Sequence, residues 1–204
     1  SLMTLSLFDL TTALTQVREC AWQLACDDQT DKALTVMGDA IGRRQNEILE
    51  ANTLDLEISR DMAVPELVVD WLKLTPERVQ TTADIFHRLA ALGSDLELTN
   101  ACSGRGASIP SKPIGIVGFI YEAFPDLGAI AAALTIRAGN ALVLRGGGEA
   151  SKTNQIIARI LKEALTETGL SQNLILAVES TDISRVEIAQ CSSIDLIVTH
   201  GRPS

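Results

Sequence analysis

The chain has 204 residues, 46% hydrophobic and only 3% aromatic, with a formal net charge of −9. That length buries a full core, while the acidic balance, with no basic run longer than Arg43-Arg44, argues against a nucleic-acid partner. The longest apolar stretches, such as Ile114 to Tyr121 and Ala129 to Ile136, fall well short of the roughly 20 residues of a membrane span, and four cysteines without Cys-x-x-Cys spacing predict reduced, packed thiols and no metal in a cytoplasmic protein.

The first half reads as helices. Leu7, Leu10, Leu14, Val17, Ala21 and Leu24 recur at spacings of three and four, predicting a helix from about Phe8 to Cys26. Thr30 offers an N-cap for a second helix whose inner face carries Leu34, Met37, Ile41 and Ile48. A short helix from Pro65 to Leu72 follows. Thr75-Pro76-Glu77 then starts another, because Thr can cap and Pro tolerates the first helical position; it should run to about Leu92 with Val79, Phe86 and Leu89 inward.

The texture changes at Gly93. Leu96 to Thr99 alternates, and Ser103-Gly104-Arg105-Gly106 is turn chemistry, so a β arm is expected over about 94–112. From Ile114 onward, apolar runs at Ile114 to Ile120, Ala141 to Leu144, Leu174 to Val178 and Leu196 to Val198 alternate with helical segments, the pattern of a parallel sheet covered on both faces. The expected fold class is α/β: a parallel sheet of Rossmann-like type with helices on both faces, preceded by a helical N-terminal region.

Two turns could carry chemistry. Leu144-Arg145-Gly146-Gly147-Gly148-Glu149 follows a strand and opens a helix, where bare backbone and free amides favour an anion, although such a turn can also serve only to reverse the chain. Gly115 and Gly118 precede no helix start and read as close packing rather than a dinucleotide fingerprint. The turn Tyr121-Glu122-Ala123-Phe124-Pro125-Asp126 leaves the first strand at the same edge. There Glu122 reads either as a ligand contact or as a solvated carboxylate, and Asp126 as either a site residue or an ordinary N-cap.

The run Lys112 to Ala123, with Ala138 to Gly147, resembles the cofactor-binding core of γ-glutamyl phosphate reductase, a member of the aldehyde dehydrogenase superfamily also called glutamate-5-semialdehyde dehydrogenase. Asn52 to Asp55, Leu74 to Arg78 and Ile194 to Val198 extend the likeness over nearly the whole chain. The resemblance implies a cytoplasmic oxidoreductase of proline biosynthesis. In that family NADPH delivers hydride to a thioester, formed when a cysteine from a later domain attacks the acyl phosphate. It further implies a single cofactor-binding domain over 1–204, with NADP held by Lys112, Arg145, Gly146, Gly147 and Glu149, and a catalytic domain lying outside these residues. None of the four cysteines matches the family's nucleophile, so the chain by itself is expected to show no turnover.

The chain departs from the family after Glu122, where Arg and Asn are usual at the positions of Phe124 and Asp126. The resemblance makes Asp126 a degenerate oxyanion position and points to weakened cofactor contacts at Gly148. The alternative is a short paralogue acting as a nucleotide-binding, regulatory or protein-interaction module. A second copy or another protein is then expected on the face that the catalytic half covers in the family.

Overall fold

A computed structural model of the chain describes residues 7–25, 27–92 and 112–201. Five helices come first: α1 (Leu7–Cys20), α2 (Asp27–Arg43), α3 (Gln45–Asp61), α4 (Glu66–Leu72) and α5 (Pro76–Ala91). Then follow β1 (Ile116–Tyr121), α6 (Asp126–Arg137), β2 (Ala141–Arg145), α7 (Ser151–Glu167), β3 (Ile175–Val178), α8 (Arg185–Ala189) and β4 (Leu196–His200). The strands form one parallel sheet in the order β3-β2-β1-β4. The chain therefore has the α/β fold with a helical N-terminal region that its pattern of runs implies. The expected β arm lies outside the described residues except for Lys112.

The helical stripes pack as their spacing demands. Leu10, Leu14, Val17, Leu34, Met37, Ile41, Val79 and Phe86 join Ile116, Leu142, Val143 and Ile160 in one contiguous core. Thr75 caps α5, its hydroxyl accepting from the Arg78 N–H at 3.2 Å, a contact typically worth about 1 kcal/mol.

Three boundaries differ from expectation. The first α-helix stops at Cys20, and a tighter 3₁₀ turn over Ala21–Ala25 still brings Leu24 into the core. Thr30 is not an N-cap: α2 already opens at Asp27, and Thr30 packs inward at 2% exposure. Ile48 belongs to a separate helix, because Arg44 leaves helical geometry at φ −103° and ψ 21°.

The strands show why order in the sheet matters. β1 and β2 are central and almost wholly buried, whereas β4 pairs among the described residues with β1 alone and leaves Leu196 and Val198 about two-fifths exposed. At the entry to β1, Gly115 has φ +124°, which an L side chain rarely adopts, and Asp195 stands where its Cβ would be. The Asp195 carboxylate instead accepts from the Ile116 N–H at 2.8 Å and pairs with Arg18 at 2.9 Å. Gly118 lies against Ile194 and Ile197, in keeping with the close-packing reading.

Candidate functional site

Parallel strands bring all four C-terminal ends to one edge, and the chain order reverses between β1 and β4. Open α/β sheets hold ligands outside such a reversal. A hollow of about 490 Å³ lies there, walled by Ile120, Val186, Ala189 and His200 with Glu122 and Arg185 at its polar side. Its volume is within the roughly 300–1,000 Å³ of small-molecule pockets.

The turn leaving β1 is built by its neighbours. Glu122 pairs with Arg185 and donates its N–H to the His200 carbonyl at 3.2 Å. Ala123 has φ +61°, a strained value for a non-glycine residue, and its N–H donates to Glu149 Oε1 at 2.8 Å. Phe124 stacks on Trp71 with ring centroids 5.7 Å apart and meets His200 edge-on at 5.8 Å. Asp126 is the first residue of α6 and not its cap, which is Pro125. Its carboxylate accepts two hydrogen bonds from Arg78, at 2.7 and 3.2 Å, a forked pairing that fixes both partners.

The glycine turn beside it is closely packed. A Cβ on Gly146 would collide with Asn154 and stand 3.0 Å from the Tyr121 ring. The Tyr121 hydroxyl donates to Asn154 Oδ1 at 3.2 Å, and burial, with Glu179 and Asp126 adding to it, raises that phenol from its ordinary value so that it stays neutral. A Cβ on Gly147 would meet the Glu149 carboxylate. Arg145 is 9% exposed and donates to the carbonyls of Ile183 and Ser180 at 3.2 and 3.3 Å; burial lowers its guanidinium pKa from the ordinary value.

The helix start behind this turn does not offer the free amides that its sequence suggests. The N–H groups of Lys152 and Thr153 donate to the Asp55 carboxylate at 3.1 and 2.7 Å, and the Thr153 hydroxyl adds a bond of 2.6 Å. Burial raises the Asp55 carboxyl from its ordinary value while these donors and Lys152 pull it back. The anion site at the start of α7 is thus filled from within by α3. Asn52, one turn earlier on α3, accepts from the Leu74 N–H and donates to the Leu72 carbonyl, each at 2.8 Å. A single helix face thereby anchors both the glycine turn and the segment that leads into Arg78.

Of the residues singled out in the sequence, Glu122, Phe124, Asp126, Arg145, Gly146, Gly147 and Glu149 meet at this edge. Lys112 does not: it precedes β1 and stands at the opposite edge, about 20 Å away along a six-residue strand. Arg78, Trp71, Asn52 and Asp55 had no assigned role from sequence. Asn52 and Asp55 did carry a signal, being polar residues three apart on a helix, where both fall on one face.

Among the described residues, no group of three or more His, Cys, Asp or Glu side chains is placed to hold a metal ion, and no helix is long and apolar enough to cross a membrane. Cys20 is buried, and burial raises its thiol from the ordinary value; Cys191 is a half-buried free thiol in the turn between α8 and β4.

No protein-family model matches the chain. It is 38% identical over 179 residues to γ-glutamyl phosphate reductase 2 of Synechocystis, covering 85% of this chain and 43% of that protein. Identity to γ-glutamyl phosphate reductase of Clostridium novyi is 34% over 177 residues, with coverage of 84% and 42%. The chain thus spans less than half the length of these curated relatives. The γ-glutamyl phosphate reductase structure from Thermotoga maritima superposes with a TM-score of 0.80 at 28% identity, over 95% of this chain and 49% of that one. Glyceraldehyde-3-phosphate dehydrogenase GapN of Methanocaldococcus jannaschii, solved in complex with NADP, shares the fold at a TM-score of 0.71 and 18% identity, over 97% of this chain and 42% of that one.

Proposed function

We propose, from the chain's homology to γ-glutamyl phosphate reductases over most of its own length, that residues 1–204 form the cofactor-binding domain of a cytoplasmic, NADPH-dependent reductase of glutamyl 5-phosphate. Such an enzyme makes glutamate-5-semialdehyde for proline biosynthesis. The observation that supports this reading most is the three-glycine turn after β2, on the same edge as the hollow at the β1–β4 reversal. At Gly148 the Ser180 hydroxyl stands 2.9 Å from a would-be Cβ, so a bare backbone is needed there to bring the turn against the loop after β3.

In this reading Gly146 and Gly147 keep the turn compact by leaving room for Asn154, Tyr121 and Glu149, the nucleotide meets the turn at its backbone, and NADPH when bound supplies the hydride. Arg145 acts through the carbonyls of Ser180 and Ile183, shaping the wall of the groove. Glu149 holds the strained Ala123 and so fixes the β1 outlet relative to the glycine turn. Lys112, at the far edge, takes no part. Cofactor phosphates must find donors other than the Lys152 and Thr153 amides, because Asp55 occupies both.

None of the four cysteines of the sequence matches the family's nucleophile, so in this reading the group that attacks the acyl phosphate comes from outside these residues. The 204-residue chain then binds NADPH but does not turn over. A spectrophotometric assay with glutamate-5-semialdehyde, phosphate and NADP should show no reduction of the cofactor above the protein-free rate. Protein-dependent reduction would contradict this reading.

A second reading, a nucleotide-binding or interaction module without reductase activity in any assembly, is favoured by the Arg78–Asp126 pair, which places a carboxylate where the family usually has Asn. Mixing the chain with an independently produced catalytic half of a homologous reductase separates the two: restored turnover supports the first, and its absence with intact NADPH binding supports the second.

A further inference from the structure

We infer that Arg78 is the carboxylate receptor of the β1 outlet, and that Asp126, a carboxylate of the chain itself, occupies it as a built-in competitor for the carboxylate of a small acyl substrate. As a substrate subsite it rests on the reductase reading; as a carboxylate receptor it stands on the geometry of the pair.

Arg78 is held from behind. Its N–H is bonded to the Thr75 hydroxyl, and its Nη1 donates to the Lys73 carbonyl at 2.7 Å. Asn52 fixes that segment by bonding the Leu72 carbonyl and the Leu74 N–H on either side of Lys73. The guanidinium stands 6.0 Å from the centre of the Phe124 ring, which Trp71 backs in turn. The edge formed by Nε and Nη2 is what remains for a ligand, and it meets both Asp126 oxygens at 3.2 and 2.7 Å. Two parallel bonds from one guanidinium edge are the way arginine takes any carboxylate. A side chain already fixed in that pose loses little freedom when it binds one.

The other arginines at this edge are placed differently. Arg145 is buried against two backbone carbonyls, and Arg185, 59% exposed, meets Glu122 in a solvated pair. The Arg78 side chain keeps 33% of its surface exposed and Asp126 keeps 15%, so solvent reaches the fork from one side. Arg78 neutralises Asp126, and an incoming carboxylate that takes the same two bonds leaves the charge at the guanidinium balanced. The displaced Asp126 stays in the first turn of α6, where a helix favours negative charge. Being tethered, Asp126 competes as an intramolecular ligand at high effective concentration, which weakens an outside carboxylate without changing what the fork selects.

The test uses the 204-residue chain with isotope-labelled arginine, following by NMR the Arg78 Nε–H resonance, which is identified by its loss in Arg78→Gln. Glutarate is the probe and its uncharged diamide the control, at constant pH and ionic strength. Asp126→Asn keeps the shape and removes the competitor; it should bind glutarate at least about tenfold more tightly than the wild type. Glutarate, and not the diamide, should also raise its melting temperature, and that rise should vanish in Arg78→Gln/Asp126→Asn. Asp126→Ala, which empties the fork, should regain melting temperature with acetate but not with chloride.

Equal glutarate affinity in the wild type and Asp126→Asn would overturn the inference, as would a rise that survives Arg78→Gln or a failure of acetate to restore Asp126→Ala. Competition between glutarate and NADPH in Asp126→Asn would give Arg78 to a cofactor phosphate and overturn it too. Failure of NADPH to bind while Asp126→Asn still takes glutarate would refute the cofactor reading and leave the receptor standing, and the reverse pattern would refute the receptor alone.

Discussion

Two residues show how single side chains set this edge and its foundations. Asp195 is tied to the Ile116 N–H and to Arg18, and these bonds, the backbone one foremost, hold its carboxyl below the ordinary carboxylate range. A depressed carboxyl pKa stabilises the fold above the unfolded value and loses that contribution as pH falls through the folded one. Asp195→Asn should therefore cost about 1–2 kcal/mol in urea unfolding at neutral pH, and the difference from wild type should shrink to nothing in strong acid. A pH-independent difference would show that the charge is not what matters. Arg145 teaches a different lesson. Its place at the end of β2, where the glycine turn begins, suggested a ligand contact, yet the side chain turns inward to loop carbonyls that no sequence window could show. Arg145→Ala should destabilise the chain by about 1–3 kcal/mol, visible as a lower melting temperature without any nucleotide. An unchanged melting temperature would return Arg145 to the ligand side.

The elements were legible to the degree that periodicity alone decides them. The caps and stripes of α4 and α5 follow from Pro65, Thr75-Pro76 and the spacing of Val79 and Phe86, all local signals. The break at Arg44 was not legible, because the apolar spacing continues through it from Ile41 to Ile48 and only the backbone geometry separates α2 from α3. The start of α7 left two readings open, an anion site or a simple reversal of the chain, for a similar reason. Its glycines advertise open amides, while the carboxylate that fills them comes from Asp55, about a hundred residues earlier in the chain. Asp55→Ala should cost about 2–4 kcal/mol, since it strips three hydrogen bonds from a buried helix start. Faster amide exchange at Lys152 and Thr153 should accompany the loss, and protection there equal to wild type would contradict the capping role.

At the scale of the whole molecule, the alternation of apolar runs and helical segments was enough to give a parallel sheet, and the motif order was enough to give the homology that 38% identity to a γ-glutamyl phosphate reductase bears out. The strand order was not accessible, and with it the fact that β1 and β4 flank the reversal where the large hollow lies. Nor could the sequence separate Lys112 from the other candidates, since only the direction of β1 puts it at the opposite edge. The aromatic and charged pairs across α4, α5 and the β1 outlet likewise depend on how the helical layer meets the sheet.

We propose that NADPH lies over the glycine turn at the C-terminal edge of this sheet. Amide hydrogen exchange of the 204-residue chain with and without saturating NADPH tests it most directly. Bound NADPH should add protection over Gly146 to Ser151 and Ser180 to Arg185, with little change at the entry to β1 around Lys112 to Gly115. No protection anywhere, or protection centred on that opposite edge, would contradict it.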